Sequence, residues 1–182
     1  MRYWLDTEFI EDGKTIDLIS IGIVAEDGRE FYVEVQDANL FNANDWVKAN
    51  VLPHLWSRNA DHREGNIWTR DGGVGGLMLR SKVGDEVRRF CDPEQYGKPE
   101  FWGYYADYDW VVLCQLFGTM MDLPKGWPMY CRDLKQLCDE MGNPDLPTQG
   151  KGEHHALADA RWNQEAHRFL ENKAMADMVG VH

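Results

Sequence analysis

Tyr3-Trp4-Leu5-Asp6-Thr7-Glu8-Phe9-Ile10-Glu11-Asp12-Gly13 is the stretch on which the fold turns. Tyr3 to Leu5 reads as a short strand running straight into the acidic Asp6-Thr7-Glu8, and Glu11 to Lys14 supplies turn chemistry. Ile16 to Val24 follows as a near-continuous run of branched apolar residues, the pattern of a buried central strand. The turn residues Glu26-Asp27-Gly28 then lead into Phe31-Tyr32-Val33-Glu34-Val35. Three early strands joined by tight turns predict an antiparallel meander.

Downstream, the period changes. Trp46, Val47, Val51 and Leu52 recur at helical spacing between Asn42 and Pro53, with Asn44 as N-cap and Pro53 as terminator. Leu55 to Arg80, which includes Gly72-Gly73-Val74-Gly75-Gly76, has no periodic pattern and is expected to be a mobile insertion. Val83 to Cys91 predicts a helix stopped by Asp92-Pro93, Phe101 to Tyr105 a strand, and Trp110 to Met121 a helix. Asp133 to Met141 predicts a short helix, and Gly142 to Glu153 an irregular loop long enough to suggest a functional role. The last helix is expected from about His155 past Leu170, with fraying after Glu171. Strands first, then alternating helix and strand, describe one α/β domain over residues 1–182 around a mixed sheet.

Composition narrows the function classes. Of 182 residues, 43% are hydrophobic, enough to build a core and to exclude disorder for most of the chain. The net charge of −12 argues against nucleic-acid binding through a broad basic surface. It leaves room for a nucleic-acid enzyme whose carboxylates recruit divalent cations. Cys91, Cys114, Cys131 and Cys138 form no C-x-x-C pair, which fits buried free thiols in a reducing compartment. Neither an early apolar leader nor a run of about 18 apolar residues is present, so a cytoplasmic protein with no membrane contact is expected.

Three acidic islands stand where apolar or turn residues are usual. Period-two alternation aims Asp6 and Glu8 at one face, where two carboxylates repel unless a cation lies between them. Asp107-Tyr108-Asp109 opens a helix, where aspartates also serve as ordinary caps. Asp159 falls one turn into a helix among Ala156, Leu157 and Ala160, an awkward place for an unpaired charge. His154 precedes it by five residues, about 140° around a helix. The pair can therefore meet only if His154 lies in the loop before the helix. Each island alone is compatible with a solvated strand end, a cap or an exposed histidine.

Taken together, Asp6-x-Glu8, Tyr108-Asp109 and His154-x-Ala156-x-x-Asp159 resemble, in order and spacing, the three motifs of the DEDD exonucleases with histidine in the third motif. Asp6 to Gly13, Leu18 to Gly22 and Gly152 to Ala160 look more narrowly like the bacterial polyadenylate-specific 3′-5′ exoribonucleases of the RNase AS type. The resemblance spans the chain apart from Leu55 to Arg80. It implies a ribonuclease H-like fold and a 3′-5′ exonuclease releasing nucleoside 5′-monophosphates. By the same resemblance Asp6, Glu8, Asp109 and Asp159 hold two Mg²⁺ or Mn²⁺ ions, and His154 is the general base. Tyr105 and Asp107 stand where the family often has a small polar residue, so Asp107 competes with Asp109 for the second-motif role; the aromatic residue before Asp109 and the hydrophobic ones after it favour Asp109. Phe9, Tyr105 and Tyr108 are the candidates for stacking on a terminal base. The implied partner is single-stranded nucleic acid, RNA ahead of DNA, with adenylate preference. Eight tryptophans leave apolar surface that fits a homodimer. A DNA exonuclease and a non-catalytic binding module of the same fold are the competing readings, although no carboxylate is missing.

Overall fold

The computed structural model describes residues 1–58, 67–70, 73–150 and 152–180. Strands β1 (Arg2–Glu11), β2 (Ile16–Ala25) and β3 (Glu30–Val35) form the expected antiparallel meander. A short helix α1 (Asp45–Asn50) follows, with the Asn44 side chain accepting a hydrogen bond from the Val47 N–H as its N-cap. Strands β4 (Ile67–Arg70) and β5 (Gly73–Met78) form an antiparallel pair, and β5 lies parallel to β3. Helices α2 (Arg80–Phe90) and α3 (Pro93–Tyr96) lead to β6 (Glu100–Gly103), α4 (Asp107–Gln115) and the two-residue β7 (Arg132–Asp133). The chain ends with α5 (Leu134–Glu140) and the long α6 (Ala156–Val179).

The sheet order is β4-β5-β3-β2-β1-β6-β7, with β6 parallel to β1 and β7 parallel to β6. A meander continued by parallel strands beside β1 is the ribonuclease H-like arrangement. Alternation along the strands sorts the core into two faces. Tyr3, Leu5, Ile21, Ile23, Phe31 and Val33 pack with Val83, Val87 and Phe90 of α2 and with Val112 and Leu113 of α4. Val24 and Tyr32 pack on the other face with Ala156, Leu157 and Ala160 of α6. The ladder between β1 and β2 shifts register after Glu8, so that Phe9 pairs with Leu18 and Ile19 is the extra residue. Ile19 then joins Ile10, Val47 and Val51 in a separate cluster under α1.

Several sequence expectations need correction. The glycine run was expected in an irregular insertion; Gly73 to Met78 is a strand extending the sheet beyond β3. Residues 59–66 and 71–72 of that insertion lie outside the described residues. Leu55 to Arg58 is tied down: buried Glu34 accepts hydrogen bonds from the main-chain N–H groups of Trp56 and Ser57. The helix expected over Trp110 to Met121 starts earlier and stops at Gln115, followed by a separate 3₁₀ turn at Met120–Asp122. That turn closes as a Thr119 to Asp122 capping box, which competes with helix continuation. The tail does not fray at Glu171: α6 continues to Val179 and ends at Gly180 in the left-handed conformation. Among the described residues no helix is long and apolar enough to cross a membrane.

Candidate active site

The site is built where β1 outruns its parallel neighbour. The sequence reading had Asp6 and Glu8 at a strand end; β1 instead continues through them to Glu11. β6 pairs with β1 only through Trp4, so the edge of β1 beyond it carries backbone groups that β6 does not satisfy. Asp109 takes one of them. Its Oδ1 accepts from the Thr7 N–H at 2.8 Å and from the Thr7 hydroxyl at 2.5 Å. Asp109 is held there by α4, whose N-terminus is fixed in turn by Asp133. That carboxylate accepts from Ala106 N–H at 2.8 Å and also caps α5 through the Lys135 and Gln136 N–H groups. Asp107, the competing candidate, is exposed, whereas Asp109 is buried.

Asp6 and Glu8 point to the opposite face, toward α6. Asp6 pairs across the ladder with Gly22, and a Cβ on Gly22 would stand 2.3 Å from the Ala156 carbonyl oxygen. The missing side chain therefore lets the start of α6 sit directly on β2. His155 caps α6, its Nδ1 accepting from the Ala158 N–H, while its ring stacks on Tyr32 with centroids 4.4 Å apart. One turn in, Asp159 faces the strand carboxylates. Farther along, the buried Asn163 amide donates to the Leu5 carbonyl at 2.9 Å and ties the helix to β1.

Oxygen atoms of Asp6, Glu8 and Asp159 lie within 4.8 Å of one another. Burial pushes these acids up: Asp6 rises well above the usual carboxylate range and Glu8 to about 8, both with added repulsion from Asp109 and Asp159, and Asp159 rises to about 7 with added repulsion from Glu153. Asp109 rises to about 6, chiefly through burial, against the lowering effect of its Thr7 hydrogen bonds. The three grouped acids are costly as anions and are stabilised once a cation enters, while Asp109 is not among the grouped oxygens. The cluster's donors are all hard carboxylate oxygens, which suit Mg²⁺ or Mn²⁺ rather than a thiolate-seeking ion. The residues present thus fit the divalent ions that the resemblance implies.

His154 stands over this cluster in a left-handed conformation, φ +67°, after Gly152 at φ +150°. As the spacing required, it lies outside α6, in the loop before it. Its main-chain N–H donates to Asp159 Oδ2 at 2.9 Å, and the Gln149 side-chain amide donates to the other oxygen, Oδ1. Asp6, Asp159, His154, Gln149, Glu153, Tyr104, Trp162 and Asn163 together line a cavity of about 170 Å³.

Residues 1–170 match the model of the 3′-5′ exoribonuclease Rv2179c-like domain. The chain belongs to this exoribonuclease family. Two similar relatives, 3′-5′ exoribonuclease Rv2179c and 3′-5′ exoribonuclease MT2234.1 from two strains of Mycobacterium tuberculosis, are each 39% identical over 161 residues. The match covers 88% of this chain and 88% of each relative. Among solved structures, the Neurospora crassa Pan2 catalytic unit matches at 12% identity and TM-score 0.39 over 98% of this chain and 29% of that one. Yeast NOT1 MIF4G domain co-crystallised with CAF1 gives 12% identity and TM-score 0.43, covering 96% of this chain and 79% of the other. Family membership makes the protein a hydrolase of the 3′-5′ exoribonuclease class.

The aromatic candidates separate. Phe9 and Tyr108 pack on each other, ring centroids 5.8 Å apart and edge to face, with Tyr108 half-exposed. Tyr105 is exposed at φ +56° in the turn before α4 and packs on Tyr104 instead. Sequence reading of this exoribonuclease missed Thr7, Gln149, Asn163 and Trp46, whose indole lies 4.8 Å from the His154 ring. Thr7 carried a signal, since alternation turns it away from Asp6 and Glu8 toward the α4 face. Asn163 and Trp46 act across long sequence separations and Gln149 from an irregular loop ten residues before Asp159, so none of the three carries a local signal. Arg132 and Arg161, which could have met phosphate, are engaged by Glu100 and Glu30.

Proposed function

We propose that the protein removes nucleoside 5′-monophosphates one at a time from the 3′ ends of single-stranded RNA, with preference for adenylate, by divalent-metal-dependent hydrolysis. The observation that carries the reading is the convergence of Asp6 and Glu8 from β1 with Asp159 from α6. In this reading those three side chains and Asp109 hold the cations. Divalent ions held there would supply positive charge to the phosphodiester and lower the pKa of water.

The chain's own residues do the rest. His154 accepts the proton of the attacking water at an imidazole nitrogen, the work of a positioned general base. The water oxygen bonds to phosphorus, the bond from phosphorus to the 3′ oxygen breaks, and the shortened RNA keeps that oxygen as a hydroxyl. Thr7 fixes Asp109 by two hydrogen bonds, so this acid arrives preoriented. Phe9 and Tyr108 offer a face to the terminal base. The protein acts as a cytoplasmic homodimer in this reading, which size-exclusion chromatography with light scattering tests.

Digestion of 3′-labelled homopolymer RNAs and the matching DNAs, with Mn²⁺ or with chelator, tests the function. Release of labelled mononucleotide from RNA, fastest from polyadenylate and abolished by chelation, is expected. Equal cleavage of DNA, internal cuts, or full activity in chelator would overturn it.

A further inference from the structure

Trp46 plays no part in the motifs, yet among the described residues its ring meets the imidazole of His154. It projects from α1 and is half-exposed, and the two rings lie 4.8 Å apart at 77°, an edge-to-face pair. α1 is well anchored. Asn44 caps it, and Val47 and Val51 pack against Ile10 and Ile19. Ile10 continues the strand that carries Asp6 and Glu8, so α1 and the backbone of Trp46 hold a fixed place relative to the carboxylates.

His154 has much less of its own support. Its main chain is in the left-handed region, and its N–H is held by Asp159. No described residue hydrogen-bonds its imidazole, so the ring's orientation depends on packing, and its aromatic partner among the described residues is Trp46.

We propose that Trp46 is a positioning residue for His154, its indole orienting the imidazole toward the water it deprotonates. The inference rests on the reading of His154 as general base. It differs from a substrate platform in what it predicts. An indole that only stacks on a base stabilises bound substrate and transition state alike, so its loss raises KM. An indole that orients the base acts on the chemical step, so its loss lowers kcat.

The test is a double-mutant cycle on the full chain at saturating Mn²⁺, with kcat and KM for 3′-nucleotide release measured for wild type, Trp46→Ala, His154→Ala and the double variant. Trp46→Ala should lower kcat about 3- to 10-fold, the scale of an edge-to-face contact, with KM unchanged. Trp46→Phe, which keeps an aromatic face, should recover most of it. In the His154→Ala background the Trp46→Ala change should cost nothing more. A raised KM with wild-type kcat would overturn the proposal, as would the same fold-loss in both backgrounds. Wild-type kcat in His154→Ala alone would remove the general-base reading and this inference with it, and that result is read with Trp46 intact. Thermal melting of each variant checks that α1 remains folded; a destabilised Trp46→Ala is replaced by Trp46→Leu in the cycle, with the same outcomes required.

Discussion

Replacing Gly22 by alanine should damage stability and catalysis together, although Gly22 carries no chemistry. The new Cβ would stand 2.3 Å from the Ala156 carbonyl oxygen and 2.4 Å from the Leu157 nitrogen. Both are main-chain atoms of α6, so no rotamer relieves the clash. Ordinary contact begins at 3.4 Å, which requires the helix start to lift by about 1 Å. Overpacking of this kind costs about 1–3 kcal/mol, and for a domain of this size each kcal/mol lowers Tm by about 2–4 °C. A fall of roughly 2–12 °C is expected. Asp159, three residues beyond Ala156, moves with the helix and away from Asp6 and Glu8. A displacement of about 1 Å at a catalytic group can cost about 100-fold in rate. Differential scanning fluorimetry and single-nucleotide release from labelled RNA at fixed Mn²⁺ read the two effects. A variant that melts with the wild type and turns over at its rate would refute the tight seat of α6 on β2.

Stability should also depend on pH in an unusual direction. Glu8, Asp159 and Asp109 have folded-state values raised to about 8, 7 and 6, while the unfolded chain ionises them near 4. The unfolded state therefore binds fewer protons over this range, and stability falls as pH rises. In chelator, Tm should drop from about pH 5 to pH 8, and Mn²⁺ should restore it most at the alkaline end; a Tm that is flat or rising in chelator over this window would contradict the raised values. Asp109→Ala should abolish nucleotide release and Asp107→Ala should leave it near wild type, with the reverse pattern assigning the second acid to Asp107. His154→Ala should slow release by about 10²- to 10⁴-fold while leaving Mn²⁺ affinity, measured by titration calorimetry, close to the wild-type value.

The sequence carried the meander and the last helix because each is written in local periodicity: branched apolar residues along Ile16 to Ala25, small and apolar ones around Asp159. The carboxylates were visible for the opposite reason, as charges placed against the local pattern. What escaped was decided at a distance. The glycine run looks irregular, yet Gly73 to Met78 pairs with β3, where backbone hydrogen bonding replaces side-chain propensity. β1 looked short because its apolar alternation breaks at Asp6, while the ladder with β2 continues to Glu11. The hydrogen bonds from Gln149 to Asp159 and from Asn163 to Leu5, and the packing of Trp46 on His154, join segments that no local rule brings together.

The central claim is that Asp6, Glu8 and Asp159 form one cation site. Titration of Mn²⁺ into metal-stripped protein by isothermal calorimetry tests it most directly, comparing wild type with Asp6→Asn, Glu8→Gln and Asp159→Asn, each checked for folding by its melting curve. Saturable binding by the wild type, weakened at least about tenfold by each neutral replacement (about 1.4 kcal/mol), is the expected result. A folded wild type that binds no Mn²⁺, or folded variants that bind it as tightly as the wild type, would contradict the claim.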